Sequence, residues 1–208
     1  MEKMDYKKAF PDLYKPKTSP SAVEVPPMIF IMVDGKGNPN DPNGEYPAAV
    51  ELLYGLSYTI KMNKKGETRP NGYFEYVVPP LEGLWSLEDS ADFKNKEKFL
   101  WTSMIRQPEF VTAEVFAGAC RMVEEKKNLD SAKARLETFS EGLCVQCMHI
   151  GPFDDEPATL ERMDAFIREN GFVHDFAGRR HHEIYLSDPR KTDPGKMKTI
   201  LRVPVTKA

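Results

Sequence analysis

The sequence predicts an α+β fold of duplicated β-α-β-β units with pseudo-two-fold symmetry and a groove between them. Two observations predict it. Strand-like and helix-like segments follow in the order β-α-β-β, then one extra helix, then β-α-β-β again. The helices of the two units both open on a Pro-Ala pair, Pro47-Ala48 and Pro157-Ala158, which gives a weak internal repeat of about 110 residues.

The chain is expected to divide into an N-terminal arm and one duplicated domain. Residues 1–22 carry scattered lysines and prolines and predict an irregular arm, too short for a helix-turn-helix DNA-reading module. Residues 23–208 are expected to form the domain. Its first half covers about 23–107, a linking helix about 112–127 and its second half about 140–205.

The first half shows one helix among strands. Met28–Val33 is a continuous apolar run that predicts a buried strand. From Glu45 to Lys61 apolar residues recur at helical spacing. Tyr73–Val78 has the composition of a strand. A loop carrying Gly83-Leu84-Trp85 follows, and Phe99–Ile105 predicts the next strand.

The second half repeats this order after the linking helix, for which Thr112 is the predicted N-cap. Leu143–Ile150 predicts a strand, and the following helix admits Pro157 in its first turn, where the missing N–H costs nothing. That helix is expected to end at Asn170-Gly171. The last two predicted strands are His181–Leu186 and Thr199–Val205.

Composition and charge exclude several classes of protein. The chain has 29 Lys and Arg against 32 Asp and Glu, a net charge of −3, which lacks the basic footprint of a nucleic-acid binder. Its apolar runs are far shorter than the roughly 20 residues of a membrane-spanning helix, and its start has no signal-like apolar region. Three cysteines, an odd number, argue against a secreted disulfide framework. We expect a cytoplasmic protein that binds neither nucleic acid nor membranes.

Three short motifs have structural explanations that outweigh a catalytic one. Gly35-Lys36-Gly37 lacks the third glycine of a dinucleotide-binding loop, since Asn40 stands at that position. Cys144-Val145-Gln146-Cys147 lies in a predicted strand, where residues three apart point to opposite faces. The neighbours His181-His182 face opposite ways for the same reason, so no metal triad is expected. We expect neither a metal nor another cofactor.

One carboxylate stands out because of where its strand is expected to lie. Glu183 and Tyr185 are two residues apart, so they share a face of a strand that should be central in its half. A carboxylate there is costly unless it is hydrogen-bonded or open to a cavity. Two explanations remain open: a Glu183 paired with a basic neighbour such as Arg180, or an acid at the base of a ligand pocket.

Four aromatic residues favour the pocket without requiring it. Tyr54 and Tyr58 lie at i and i+4 on one helical face, Trp85 lies in a predicted loop, and Trp101 lies in a strand. They are either core residues or the walls of an aromatic pocket that suits flat or cationic apolar ligands.

Four segments of the chain carry a family resemblance: Pro79–Trp85, Trp101–Thr112, His149–Phe153 and His181–Pro189. Through them the chain resembles the GyrI-like small-molecule-binding family, especially its stand-alone members, over roughly residues 20–205. The resemblance implies duplicated β-α-β-β units with a ligand groove between the halves, in agreement with the order of elements above. It also implies a small hydrophobic or aromatic ligand.

The resemblance implies two kinds of function. Family members fused to a DNA-binding module sense lipophilic cations through a glutamate in an aromatic pocket, and Glu183 occupies the matching place. A stand-alone subfamily is described as cyclopropanoid cyclopropyl hydrolases, which open the cyclopropane of duocarmycin-type DNA-alkylating compounds within an aromatic cage. The chain resembles that subfamily because it lacks a DNA-binding module and keeps Trp85 and Trp101.

The expected function is therefore hydrolysis of a cyclopropane ring, with non-catalytic binding of lipophilic, planar or cationic compounds as the alternative. Glu183 would orient or deprotonate the attacking water, and Tyr185 would donate to the oxygen that gains negative charge. The predicted ligand-binding residues are Trp85, Trp101, Tyr54 and Tyr58. Inhibition of a partner protein such as DNA gyrase is the least favoured alternative, because the sequence shows no docking patch for it.

Overall fold

The computed structural model describes residues 3–63, 69–88 and 95–208. The helices within these residues are α1 (Tyr6–Ala9), α2 (Pro11–Tyr14), α3 (Glu45–Met62), α4 (Ala113–Lys127) and α5 (Glu156–Glu169). The strands are β1 (Ser21–Val25), β2 (Met28–Lys36), β3 (Leu81–Leu87), β4 (Phe99–Arg106), β5 (Ala134–Phe139), β6 (Gly142–Ile150), β7 (Phe172–His174), β8 (His181–Tyr185) and β9 (Lys198–Lys207). The α+β class and the duplicated order β2-α3-β3-β4 and β6-α5-β8-β9 are confirmed, with β7 inserted in the second.

The chain forms two compact units, each assembled from separate stretches of sequence. The first comprises the described residues of Met1–Tyr6, Met28–Leu81 and Ser86–Phe139. The second comprises Lys7–Pro27, Glu82–Trp85 and Ser140–Ala208.

In the first unit, the buried strand β2 lies between β4 and β5, and both pairings are antiparallel. Helix α3 packs on β2 through an apolar stripe that includes Leu53, Leu56 and Ile60. Helix α4 in turn packs on α3. It begins at the predicted cap, since the side chain of Thr112 accepts a hydrogen bond from the backbone N–H of Val115 at 3.3 Å.

In the second unit, the strands lie in the order β1-β6-β9-β8, followed by residues 82–85 of β3, and all neighbours are antiparallel. Strand β7 pairs with the end of β9. Helix α5 packs on β6 through an apolar core of Val145, Cys147, Met163, Ile167, Leu201, Val203 and Val205. Strand β8 has a neighbour on each side, which confirms its predicted central place.

Two sequence predictions about local structure are wrong. Tyr73–Val78 is not a strand: within it only Tyr76 forms an isolated bridge, with Met4. The strand instead comes later, as β3, over the segment predicted to be a loop. The N-terminal arm is not irregular throughout, since it carries α1 and α2, whose Tyr6, Leu13 and Tyr14 are buried.

The described part of the chain contains no helix with both the length and the apolar character needed to cross a bilayer.

Candidate functional site

Glu183 lies at the centre of a hydrogen-bonded cluster on one face of β8. Its Oε2 accepts a hydrogen bond from the Tyr185 hydroxyl at 2.8 Å, and that hydroxyl accepts one from Nε1 of Trp85, also at 2.8 Å. Nε2 of His181 lies 3.4 Å from the other carboxylate oxygen. The period of two along a strand explains this set, because His181, Glu183 and Tyr185 share a face. The carboxylate is thus oriented from two sides, and only 14% of its side chain remains exposed.

A glycine makes room for this cluster. Gly83 is directly opposite Glu183 in the β3–β8 register, so its missing side chain would point to the same face. A Cβ atom placed there would lie 2.7 Å from Nε1 of Trp85 and 3.1 Å from the Tyr185 hydroxyl. The absence of a Cβ therefore lets the indole and the phenol meet beside Glu183.

We expect Gly83→Ala to displace the Trp85 indole and break its hydrogen bond to Tyr185, at a cost of about 1 kcal/mol of unfolding free energy. The measurement is the indole N–H signal of each tryptophan in a ¹⁵N-labelled sample, where the Trp85 signal should shift and the Trp101 signal should not. Gly118→Ala is the matched control, because a Cβ there meets only the end of Arg121 at 3.9 Å. An unchanged Trp85 signal in Gly83→Ala would contradict the argument.

A second carboxyl group, Glu156, belongs to this site, and the sequence analysis missed it. Glu156 begins α5 and is only 8% exposed, and in the described part of the chain its buried Oε1 has no hydrogen-bond partner. Burial, together with the negative charges of Glu183 and Asp154, raises the pKa of Glu156 to about 9. Acidic residues are common in the first turn of exposed helices, so nothing in the local sequence marks this one as buried.

The opposite face of the same strands holds a buried ionic network. His182 Nε2 lies 3.0 Å from Glu82, and its Nδ1 lies 3.0 Å from Glu141. Arg202 donates to Glu141 at 3.0 Å and to Gln146 at 3.2 Å. Burial alone would lower the pKa of His182, but the two carboxylates outweigh it and raise that pKa to about 9. Burial likewise opposes ionisation of Glu141, but His182 and Arg202 lower its pKa to about 2.

The N-terminal arm is attached to this network. Arg202 donates to the backbone oxygen of Leu13 at 2.8 Å, Gln146 donates to that of Asp12 at 2.6 Å, and the Tyr14 hydroxyl donates to Glu82 at 3.2 Å. The arm therefore covers the reverse side of the strands that carry Glu183.

The remaining predicted ligand-binding residues belong to the first unit. Trp101 is 1% exposed and packs edge-on against Tyr46 with ring centroids 5.1 Å apart. Tyr54 and Tyr58 stack on each other along the outer face of α3, 36% and 47% exposed. A role in ligand binding remains a prediction for all three.

A separate polar cavity of about 450 Å³ opens in the first unit. It is lined by Lys36, Gly37, Asn38, Asp41, Gly44, Glu45, Glu88, Glu97 and Lys98. Its walls carry both signs of charge and include none of the predicted site residues.

The cysteine motif behaves as its strand position predicts. Cys147 lies in the apolar core under α5, whereas Cys144 contacts Arg179 at 3.5 Å, and both thiols are free. Among the described residues, no group of three His, Cys, Asp or Glu side chains is placed to hold a metal ion.

Comparison with known families assigns the chain to a class of ligand-binding proteins. The model of the GyrI-like small molecule binding domain matches residues 18–206, so the chain belongs to the GyrI-like family. This confirms the resemblance seen in the sequence.

Similar solved structures come from Listeria innocua. One, an uncharacterized conserved protein, is 50% identical, with 98% of this chain and 100% of that chain covered at a TM-score of 0.93. Another, described as a hydrolase, is 48% identical, with 98% and 100% covered at a TM-score of 0.90. A further structure described as a hydrolase is 50% identical, with 99% and 100% covered at 0.92. No curated protein matches the chain.

Proposed function

We propose that this protein binds lipophilic planar xenobiotics and hydrolyses the cyclopropane ring of duocarmycin-type DNA-alkylating compounds. The observation that carries the proposal is the Glu183 carboxylate, oriented by Tyr185 and His181 and flanked by the Trp85 indole. Membership of a small-molecule-binding family and similarity near 50% to proteins described as hydrolases support it.

The chemistry begins with a water molecule held by Glu183. The carboxylate takes a proton from the water while the water oxygen bonds to a cyclopropane carbon. The ring C–C bond breaks, and its electron pair moves through the conjugated dienone to the carbonyl oxygen. That oxygen takes up a proton and becomes a phenol, and the gain of aromaticity drives the reaction.

The neighbouring residues hold the reactants rather than break bonds. In this proposal Tyr185 orients the Glu183 carboxylate, in place of the donor role expected from the sequence, because its hydroxyl donates to Glu183. Trp85 stacks on the flat ligand, with Trp101, Tyr54 and Tyr58 proposed as further aromatic contacts. Stacking binds substrate and product alike, so most of the acceleration comes from placing the water and the proton.

We expect Glu183→Gln to lower turnover at least 100-fold while ligand affinity changes little, because the amide keeps the shape but cannot take a proton. The measurement is mass spectrometry of a cyclopropanoid such as yatakemycin incubated with protein, with buffer alone as reference. Glu161→Gln, an exposed position on α5, is the matched control. Wild-type turnover by Glu183→Gln would show that Glu183 is not the base.

Non-catalytic binding is the alternative function, and the same cluster supports it. A carboxylate beside an indole attracts a lipophilic cation through charge and cation–π contact, with no need for water. Saturable binding of the cyclopropanoid with the compound recovered intact would decide for this function and against hydrolysis.

A further inference from the structure

Glu156 is a buried carboxyl group whose surroundings make it part of the Glu183 site. The residue is more than nine-tenths buried, and its Oε1 finds no hydrogen-bond partner among the residues that the structure describes. A polar atom left in that state costs free energy unless a ligand or a reaction uses it. The feature is independent of the hydrogen bonds around Glu183 itself.

The segment that leads into α5 lies against the cluster. The ring of Phe153 packs edge-on against Tyr185, with ring centroids 5.8 Å apart and planes at 86°. Glu156 follows three residues later, at the start of the helix. This contact brings the first turn of α5 to the face of β8 that carries Glu183.

The charges facing Glu156 determine its protonation. Besides its burial, the negative charges of Glu183 on β8 and Asp154 before α5 act on it, and His181 contacts Glu183 from the same face. Together, burial and these carboxylates raise the pKa of Glu156 to about 9, so at neutral pH it is a neutral carboxylic acid. The site thus holds one carboxylate that accepts a proton and one carboxylic acid that can donate one.

Two of the polar protons in the cluster are held by hydrogen bonds within it. The Tyr185 hydroxyl donates to Glu183, and the Trp85 N–H donates to Tyr185. A donor outside these two hydrogen bonds can therefore supply the proton that the ligand oxygen takes up in the proposed reaction.

We propose that Glu156 is the general acid of this site, which delivers its proton to the ligand oxygen on which negative charge develops. This inference rests on the proposed hydrolysis. As water attacks the ring carbon, its proton passes to Glu183, the ring C–C bond breaks, and the Glu156 proton moves to the carbonyl oxygen. The site then has Glu183 protonated and Glu156 ionised, and exchange with solvent restores the starting state.

The electrostatic interaction between Glu183 and Glu156 determines when the proton is transferred. The negative charge of Glu183 is one of the forces that hold the proton on Glu156. When Glu183 becomes neutral by taking the proton of water, that force disappears, and Glu156 becomes a stronger acid at the moment its proton is needed.

The test compares Glu156→Gln with Glu161→Gln for turnover of a cyclopropanoid, ligand affinity and pH profile. We expect Glu156→Gln to lower kcat about 100-fold, to keep the wild-type affinity, and to lose the decline in rate that the wild type shows above about pH 9. Equal turnover by the two variants would overturn the assignment while leaving the hydrolysis standing. No turnover by the wild type would instead remove the proposed function itself, and the acid role with it.

A second readout follows the proton without any substrate. The ¹³C signals of labelled glutamate carboxyls should include one that titrates near pH 9, is absent in Glu156→Gln, and moves to lower pH in Glu183→Gln. The folded state of the wild type keeps a proton that the unfolded chain releases above about pH 4.5, so wild-type stability should fall with pH up to about 9. The urea midpoint of Glu156→Gln should therefore rise relative to that of the wild type as the pH increases across that window. A difference in midpoint that stays constant with pH would contradict the assignment.

Discussion

Replacing Arg202 with methionine is expected to lower the free energy of unfolding by about 3–5 kcal/mol. Arg202 is 1% exposed, and its guanidinium binds Glu141, Gln146 and the backbone oxygen of Leu13. Methionine fills much of the same volume but removes one of the two cations, Arg202 and His182, that balance the charge of the buried Glu141. The cost comes from that unbalanced carboxylate rather than from the lost contact alone.

The measurement is urea denaturation followed by both circular dichroism and fluorescence. Arg190→Met is the matched control, because Arg190 pairs with Asp188 at 2.9 Å but its side chain is 84% exposed. A surface pair of this kind contributes about 0–1 kcal/mol. Similar midpoints for the two variants would contradict the account of the buried network.

The network should also make stability depend on pH in a defined window. The raised pKa of His182 gives stability that is complete below its ordinary value of 6.5 and is lost as pH rises through about 9. The lowered pKa of Glu141 gives stability that is complete above its ordinary 4.5 and is lost as pH falls through about 2. The two contributions are therefore complete together between about pH 4.5 and 6.5.

The local sequence pattern was sufficient to predict a strand where the apolar residues to be buried also follow the period of a strand. The apolar run of β2 and the alternation in β8 predicted both strands, and the alternation also placed Glu183 and Tyr185 on one face. The same pattern failed at Tyr73–Val78. There Tyr73 and Tyr76 pack against Phe110 in an aromatic cluster, which buries them without any strand ladder. A high aromatic content indicates that a segment is buried, but it does not indicate which secondary structure the buried segment adopts.

The strand β3 was missed for a related reason. Gly83 has weak strand propensity, and its place in the sheet follows from the Trp85 and Tyr185 rings that pass over it. Those two residues lie 100 positions apart in sequence. The burial of Glu156 likewise depends on contacts that only the folded chain creates. The sequence pattern predicts which residues of one element share a face. It does not predict these contacts, because they join different elements.

Trp101 carries the other large expected effect, and it decides between the two explanations that the sequence left open for this residue. Trp101 is directly opposite Gly35 in the β2–β4 register, and a Cβ at Gly35 would lie 2.1 Å from its indole ring. The indole thus lies over bare backbone, closed off on another side by Tyr46. Removing the indole leaves a large cavity in the packed interior, so Trp101→Ala is expected to lower the free energy of unfolding by about 3–5 kcal/mol.

Trp85→Ala is the matched control, since Trp85 is only partly buried and its indole Nε1 donates to the Tyr185 hydroxyl. We expect it to lower the free energy of unfolding by about 1 kcal/mol and to weaken ligand binding, measured by titration of the protein with a planar cation. Trp101→Phe keeps an aromatic ring in the core, so it tests whether Trp101 contributes to ligand affinity without creating a large cavity. Wild-type affinity in Trp101→Phe, beside reduced affinity in Trp85→Ala, would assign Trp101 to the core. Reduced affinity in Trp101→Phe at wild-type stability would instead return Trp101 to the ligand site.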